Sequence, residues 1–145
     1  MAKVSTYLTF SGQTEAAFTR YKDVFGTEYL GGLMRYGSMP AGEGEEAMPE
    51  EMANLVLNVQ LPTLGGHLLM GSDAHPMYSP GLILGNNIAP TLHTDSREQA
   101  DTLFAALAEG GEARMPMADQ FWGDYYGELT DPFGIQWNIV YTPES

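Results

Sequence analysis

At 145 residues, with six Lys plus Arg against nineteen Asp plus Glu, the chain is one domain's worth of sequence with a formal net charge of −13. That field repels phosphate backbones and anionic lipid, so neither nucleic acid nor a membrane surface is an expected partner. The absence of cysteine excludes disulfides, thiolate metal sites and cysteine nucleophiles. No apolar run reaches the roughly 20 residues of a membrane span and the first residues lack a signal peptide's apolar core, so a cytoplasmic protein is expected.

Taken in order, Val4 to Phe10 is rich in β-formers and reads as a strand. Ser11-Gly12-Gln13-Thr14 is a turn that offers Thr14 as a helix N-cap. Ala17, Tyr21, Val24 and Phe25 recur at helical spacing and predict an amphipathic helix ending at Gly26. Glu28 to Tyr36 reads as a second strand, weakened in its middle by Gly31-Gly32. Gly37 to Met52 holds five glutamates, two prolines, three glycines and no basic residue. Such a segment buries little and is expected as an acidic loop, with a lid over a site as the alternative.

Leu55, Leu57, Val59 and Leu61 alternate with polar partners, apart from Val56, and predict a third strand over Asn54 to Leu61. Pro62 to Gly66 turns the chain into a fourth, His67 to Asp73, and Ala74 to Asn86 is a connector. Asn87 to Thr94 is another strand. Asp95-Ser96 then opens a helix, with Ser96 and Gln99 at capping-box spacing. Ala100, Leu103, Phe104 and Leu107 form its inner face, Gly110-Gly111 ends it, and Glu112 to Met117 is a short strand.

The last stretch is the most informative. Two aromatic-rich runs, Trp122 to Thr130 and Ile135 to Tyr141, are joined by Asp131-Pro132-Phe133-Gly134. Proline pre-sets a turn's first central position and glycine accepts a positive φ, so this is a β-hairpin. Ile135, Trp137, Ile139 and Tyr141 alternate with Gln136, Asn138 and Val140. One face is therefore apolar and belongs on a helix, while Gln136 and Asn138 look the other way.

The order strand, helix, three strands occurs twice, and residues support a repeat. Leu8 matches Leu92 and Gly26 matches Gly110 at an offset of 84, while Ala17, Tyr21 and Val24 match Ala100, Phe104 and Leu107 at 83. The expected architecture is α+β: two βαβββ modules, about 1–75 and 86–145 of a single domain, forming a concave eight-stranded mixed sheet with helices outside. The concave face is then the default ligand site.

Duplicated βαβββ modules with Asp-Pro-x-Gly in the last hairpin resemble the vicinal oxygen chelate superfamily of glyoxalases, extradiol dioxygenases and bleomycin-resistance proteins. Tyr7 to Gly12, Tyr21 to Gly26, Arg35-Tyr36, Leu69 to Asp73, Gly85 to Asn87, Phe121 to Gly123, Asp131 to Gly134 and Trp137 resemble its PhnB-like branch, often labelled after 3-demethylubiquinone methyltransferase. The resemblance implies metal-ligand positions near Ser5, Leu69 or Met70, Ala89 and Asn138, none of them a good ligand. His67, His75 and His93 show no paired spacing, so no metal and no other cofactor is expected. A bound adenosine-containing methyl donor would want a glycine-rich strand-to-helix turn in a parallel sheet, and no such turn is present.

Three readings stay open. The preferred one is a metal-independent small-molecule-binding protein, its site lined by Tyr7, Trp122, Tyr126, Gln136 and Asn138 with Arg35 as charged anchor for an aromatic or anionic ligand. The second is an enzyme of the same superfamily, a metal-dependent lyase, isomerase or dioxygenase-like protein, or one using a carboxylate or tyrosine. The third is a structural dimer with a vestigial site. A homodimer is expected, since nine methionines and sixteen aromatics supply apolar surface for an interface.

Overall fold

The repeat in the sequence is a repeat of topology. The computed structural model describes residues 1–39, 48–75 and 80–144, and its strands fall into two four-stranded mixed sheets in an α+β fold. Two compact units divide the chain, Met1–Ile83 and Leu84–Ser145. The first contains β1 (Thr6–Phe10), α1 (Thr14–Phe25), β2 (Met34–Arg35), a 3-10 turn (Tyr36–Ser38), α2 (Glu50–Ala53), β3 (Val56–Pro62) and β4 (Leu68–Asp73). The second contains β5 (Thr91–Thr94), α3 (Arg97–Ala108), β6 (Glu112–Asp119), β7 (Tyr125–Thr130) and β8 (Gln136–Tyr141). The sheet orders are β1-β4-β3-β2 and β5-β8-β7-β6. In both, the first strand runs parallel to the last and the remaining pairs are antiparallel.

Each sheet seats its helix by the same device, an aromatic ring laid over a strand glycine. A Cβ on Gly71 of β4 would come within 2.5 Å of the Phe18 ring, and one on Gly127 of β7 within 3.0 Å of the Phe104 ring. Only glycine lets the ring approach the backbone so closely. Around these contacts lie Leu8, Phe10, Ala17, Tyr21, Val59, Leu61 and Leu69 in the first unit. Leu92, Ala100, Leu103, Leu107, Leu129, Trp137 and Ile139 form the second core.

Several expectations are corrected in detail. Thr14 is not an N-cap: the helix begins with it, Gln13 holds the cap position without a side-chain bond, and the Thr14 hydroxyl donates to Asp73 Oδ1 at 2.7 Å. The second strand shrinks from Glu28–Tyr36 to Met34–Arg35, because Gly31 and Gly32 take φ of 74° and 76°, outside the extended range. On α1 Phe18, absent from the predicted stripe, is fully buried beside the expected Tyr21, while Val24 and Phe25 are only half-buried. The strand expected from Asn87 begins at Thr91, and Trp122 sits in the turn before β7. Of the acidic stretch, residues 40–47 lie outside the described residues, as do 76–79 of the connector.

The Asp131-Pro-Phe-Gly turn closes as the sequence implies. Asp131 N–H donates to the Ile135 carbonyl at 2.8 Å and Gly134 takes φ of 93°. The buried Asp131 carboxylate also accepts from Phe133 N–H, Ile135 N–H and the Trp137 indole N–H at 2.9 to 3.0 Å. A turn residue thereby satisfies the polar atom of the largest core side chain. Among the described residues no helix is long and apolar enough to cross a membrane.

Candidate ligand site

Strand register decides which side chains share a face. In the second unit Trp137 pairs with Leu129, and Ile139 with Gly127 beneath Phe104, so this face meets α3. Alternation then puts Gln136, Asn138 and Val140 on the opposite face, beside their partners Thr130, Glu128 and Tyr126. Thr91, paired with Asn138, and His93, paired with Val140, extend it onto β5. The parity read from the alternation of β8 is the parity in the structure.

This face is an ordered polar and aromatic surface. The Thr130 hydroxyl donates to Gln136 Oε1 at 3.0 Å, and Asn138 Nδ2 donates to Thr91 Oγ1 at 3.4 Å. The Tyr126 hydroxyl donates to Glu128 Oε2 at 2.9 Å, and the other oxygen of Glu128 lies 3.3 Å from the Arg114 guanidinium. Burial, followed by the bond to Glu128, pushes the Tyr126 phenol up to about 12, so near neutrality it is a hydrogen-bond donor rather than a phenolate. Trp122 approaches Tyr126 edge-on, ring centroids 6.2 Å apart, and its indole N–H donates to Asp124 at 3.0 Å. Glu128 and Arg114 were not singled out from sequence. The one available signal was the Tyr126-x-Glu128 spacing, which puts both on one face of a strand.

The other two predicted site residues belong to the first unit and point differently. Tyr7 pairs with Met70 on the sheet face away from α1 and donates to Ser72 Oγ at 2.8 Å. The Arg35 guanidinium instead reaches Glu15 on α1 at 2.6 Å and the Asn54 carbonyl at 2.8 Å. Its bond to Glu15 raises its pKa further, and two of its donor nitrogens are occupied by the protein. The structure thus brings Trp122, Tyr126, Gln136 and Asn138 together within one unit and commits Arg35 to a helix partner.

The metal positions implied by the resemblance do not fit a divalent ion. In the first unit the Ser5 hydroxyl donates to Met70 Sδ at 3.3 Å, and Leu69 is buried on the helix side. In the second, a methyl group at Ala89 accompanies the amide of Asn138. A hydroxyl with a thioether, or an amide alone, lacks the charge and basicity such ions demand. His67 Nε2 hydrogen-bonds Thr6 Oγ1 at 2.8 Å, and the His75 ring is buried 5.1 Å from that of Tyr36. Among the described residues no three His, Asp or Glu side chains converge.

The family described as 3-demethylubiquinone-9 3-methyltransferase matches residues 2–140. The chain belongs to that family. It is 28% identical over 141 residues to Protein YjdN of Escherichia coli strain K12, covering 94% of this chain and 92% of the relative. The crystal structure of PA1353 from Pseudomonas aeruginosa superposes with a TM-score of 0.82 at 30% identity, covering 99% of this chain and all of that one. A putative 3-demethylubiquinone-9 3-methyltransferase, PhnB protein, from Bacillus cereus gives 0.74 at 25% identity, covering 97% and 100%. A glyoxalase/bleomycin resistance protein/dioxygenase family enzyme from Burkholderia phytofirmans gives 0.64 at 17% identity, covering 95% and 98%, which shows a shared fold.

Proposed function

We propose that this chain is a metal-independent small-molecule-binding protein whose ligand lies against the sheet face turned away from the helix. The observation that carries the reading is the co-facial group of Tyr126, Gln136 and Asn138 with the half-exposed Trp122 at its rim. Aromatic walls with a few fixed amide and hydroxyl groups suit a flat, partly apolar ligand held by stacking and hydrogen bonds. Tyr7 lies on the corresponding face of the first unit's own sheet. Arg35, engaged by Glu15, contributes least. Methyl transfer is less favoured: each sheet is mixed, and the strand-to-helix turns Ser11-Gly12-Gln13 and Asp95-Ser96 are not glycine-rich.

A thermal-shift screen of aromatic small molecules tests the reading. Binders are expected, and Asn138→Ala should weaken their binding while changing stability by no more than about 0.5 kcal/mol. A screen without binders would favour the vestigial-site alternative. Elemental analysis of untagged protein should return no stoichiometric metal; about one zinc, nickel or iron per chain would overturn metal independence. A second reading, a lyase or isomerase of the same superfamily, is favoured by the Tyr126–Glu128–Arg114 chain, which could hold or pass a proton. We also infer a homodimer, supported by exposed apolar residues such as Leu84 and Ile88. Light scattering that returns a monomer at micromolar concentration would count against it.

A further inference from the structure

The turn between β6 and β7 exposes two large aromatic rings that the fold does not use. Phe121 is 98% exposed and Trp122 53%. Their planes stand at 89° with centroids 5.1 Å apart, so they form two walls of a corner, and Trp122 in turn meets the Tyr126 ring, centroids 6.2 Å apart. The corner is held in shape by Asp124: Oδ2 accepts from the Trp122 indole N–H at 3.0 Å and Oδ1 from the Thr142 hydroxyl at 2.8 Å. Both partners are neutral, and among the described residues no basic side chain lies within ion-pair distance of Asp124. The two basic residues of this unit are already engaged, Arg97 by Asp119 and Arg114 by Glu128.

An aromatic corner with an unpaired carboxylate behind it, on a chain of net charge −13, is complementary to a cation. We propose that the Phe121–Trp122 corner, backed by Asp124, binds an organic ammonium group of the ligand. The inference rests on the reading that this face binds small molecules, and it names the chemical class. Ring faces present negative quadrupole to the ammonium, the Asp124 bond polarises the indole towards it, and the exposed rim spares the cation full desolvation. A carboxylate or phosphonate would instead meet Asp124 with no free cation beside it.

The test is a titration of isotopically labelled protein with benzyltrimethylammonium, its neutral isostere neopentylbenzene and benzoate. The two indole N–H signals are the readout. Trp122 should move with the ammonium while Trp137, bonded to buried Asp131, stays still. The ammonium should bind at least about fivefold more tightly than the neutral isostere. Phe121→Ala, which keeps the Trp122 reporter, should weaken the response to the ammonium, and Asp124→Asn should weaken it without unfolding the chain. Equal binding of the isostere, or tighter binding of benzoate, would overturn the ammonium class and leave small-molecule binding standing. No response to any of the three would overturn the corner as a site, while the broader screen judges the wider reading separately. A Trp122 signal that moves only on dilution of the protein would assign the corner to self-association and also overturn the proposal.

Discussion

Both units fold as strand, helix and three strands, yet they close the N-terminus of the helix by different means. In the second, Ser96 Oγ accepts the Gln99 N–H at 3.0 Å and Gln99 Oε1 accepts the Asp95 N–H at 2.7 Å, so the cap lies within five residues of chain. In the first, the cap comes from another strand. Asp73, at the end of β4, takes the N–H of Gly12 and Thr14 and the Thr14 hydroxyl on Oδ1, and the Val56 N–H on Oδ2. One buried carboxylate thus ties α1, β3 and β4 together and meets the first orphan N–H of the helix, that of Thr14. A local cap stabilises a helix, whereas a remote one also couples the helix to its sheet.

The largest expected loss is in the second core. Trp137 is buried against α3 and its indole satisfies Asp131, so Trp137→Ala should cost roughly 3–5 kcal/mol in chemical denaturation. A variant melting like the parent would overturn the assignment of the helix face. Next comes the capping contrast itself. Asp73→Ala leaves four donors without their partner in a buried site and should cost about 3 kcal/mol. Ser96→Ala, removing only the local cap, should cost about 1 kcal/mol. Equal losses from the two would erase the distinction between a coupled and a separable cap.

Smaller effects sharpen the site. Glu15→Ala removes the partner of Arg35, and because the pair is half-exposed the change should stay near 0.5 kcal/mol. Tyr126 provides a pH signature. Its phenol is raised from 10.0 to about 12, so its contribution to stability is whole below about pH 10 and is lost as pH climbs towards 12. Comparing the phenolate absorbance titration of the parent with that of Tyr126→Phe should reveal one late-titrating tyrosine; identical high-pH limbs would place its hydroxyl in water.

Much of this was legible in the chain. The helix stripe of α3, its Ser96 cap, the Asp-Pro-Phe-Gly turn, the duplicated module and the facing of Gln136 and Asn138 against Trp137 all follow from period, turn chemistry and short-range capping. Such features involve residues close in sequence, whose geometry is set by backbone sterics alone. What tertiary structure decided was choice of partner. Asp73 over Thr14, Glu15 for Arg35, Glu128 between Tyr126 and Arg114, and Phe18 seated on Gly71 join residues brought together only by strand order and register. A sequence specifies that a carboxylate or ring is present, but which donor or glycine it meets depends on how strands distant in sequence are paired, and no local pattern encodes that.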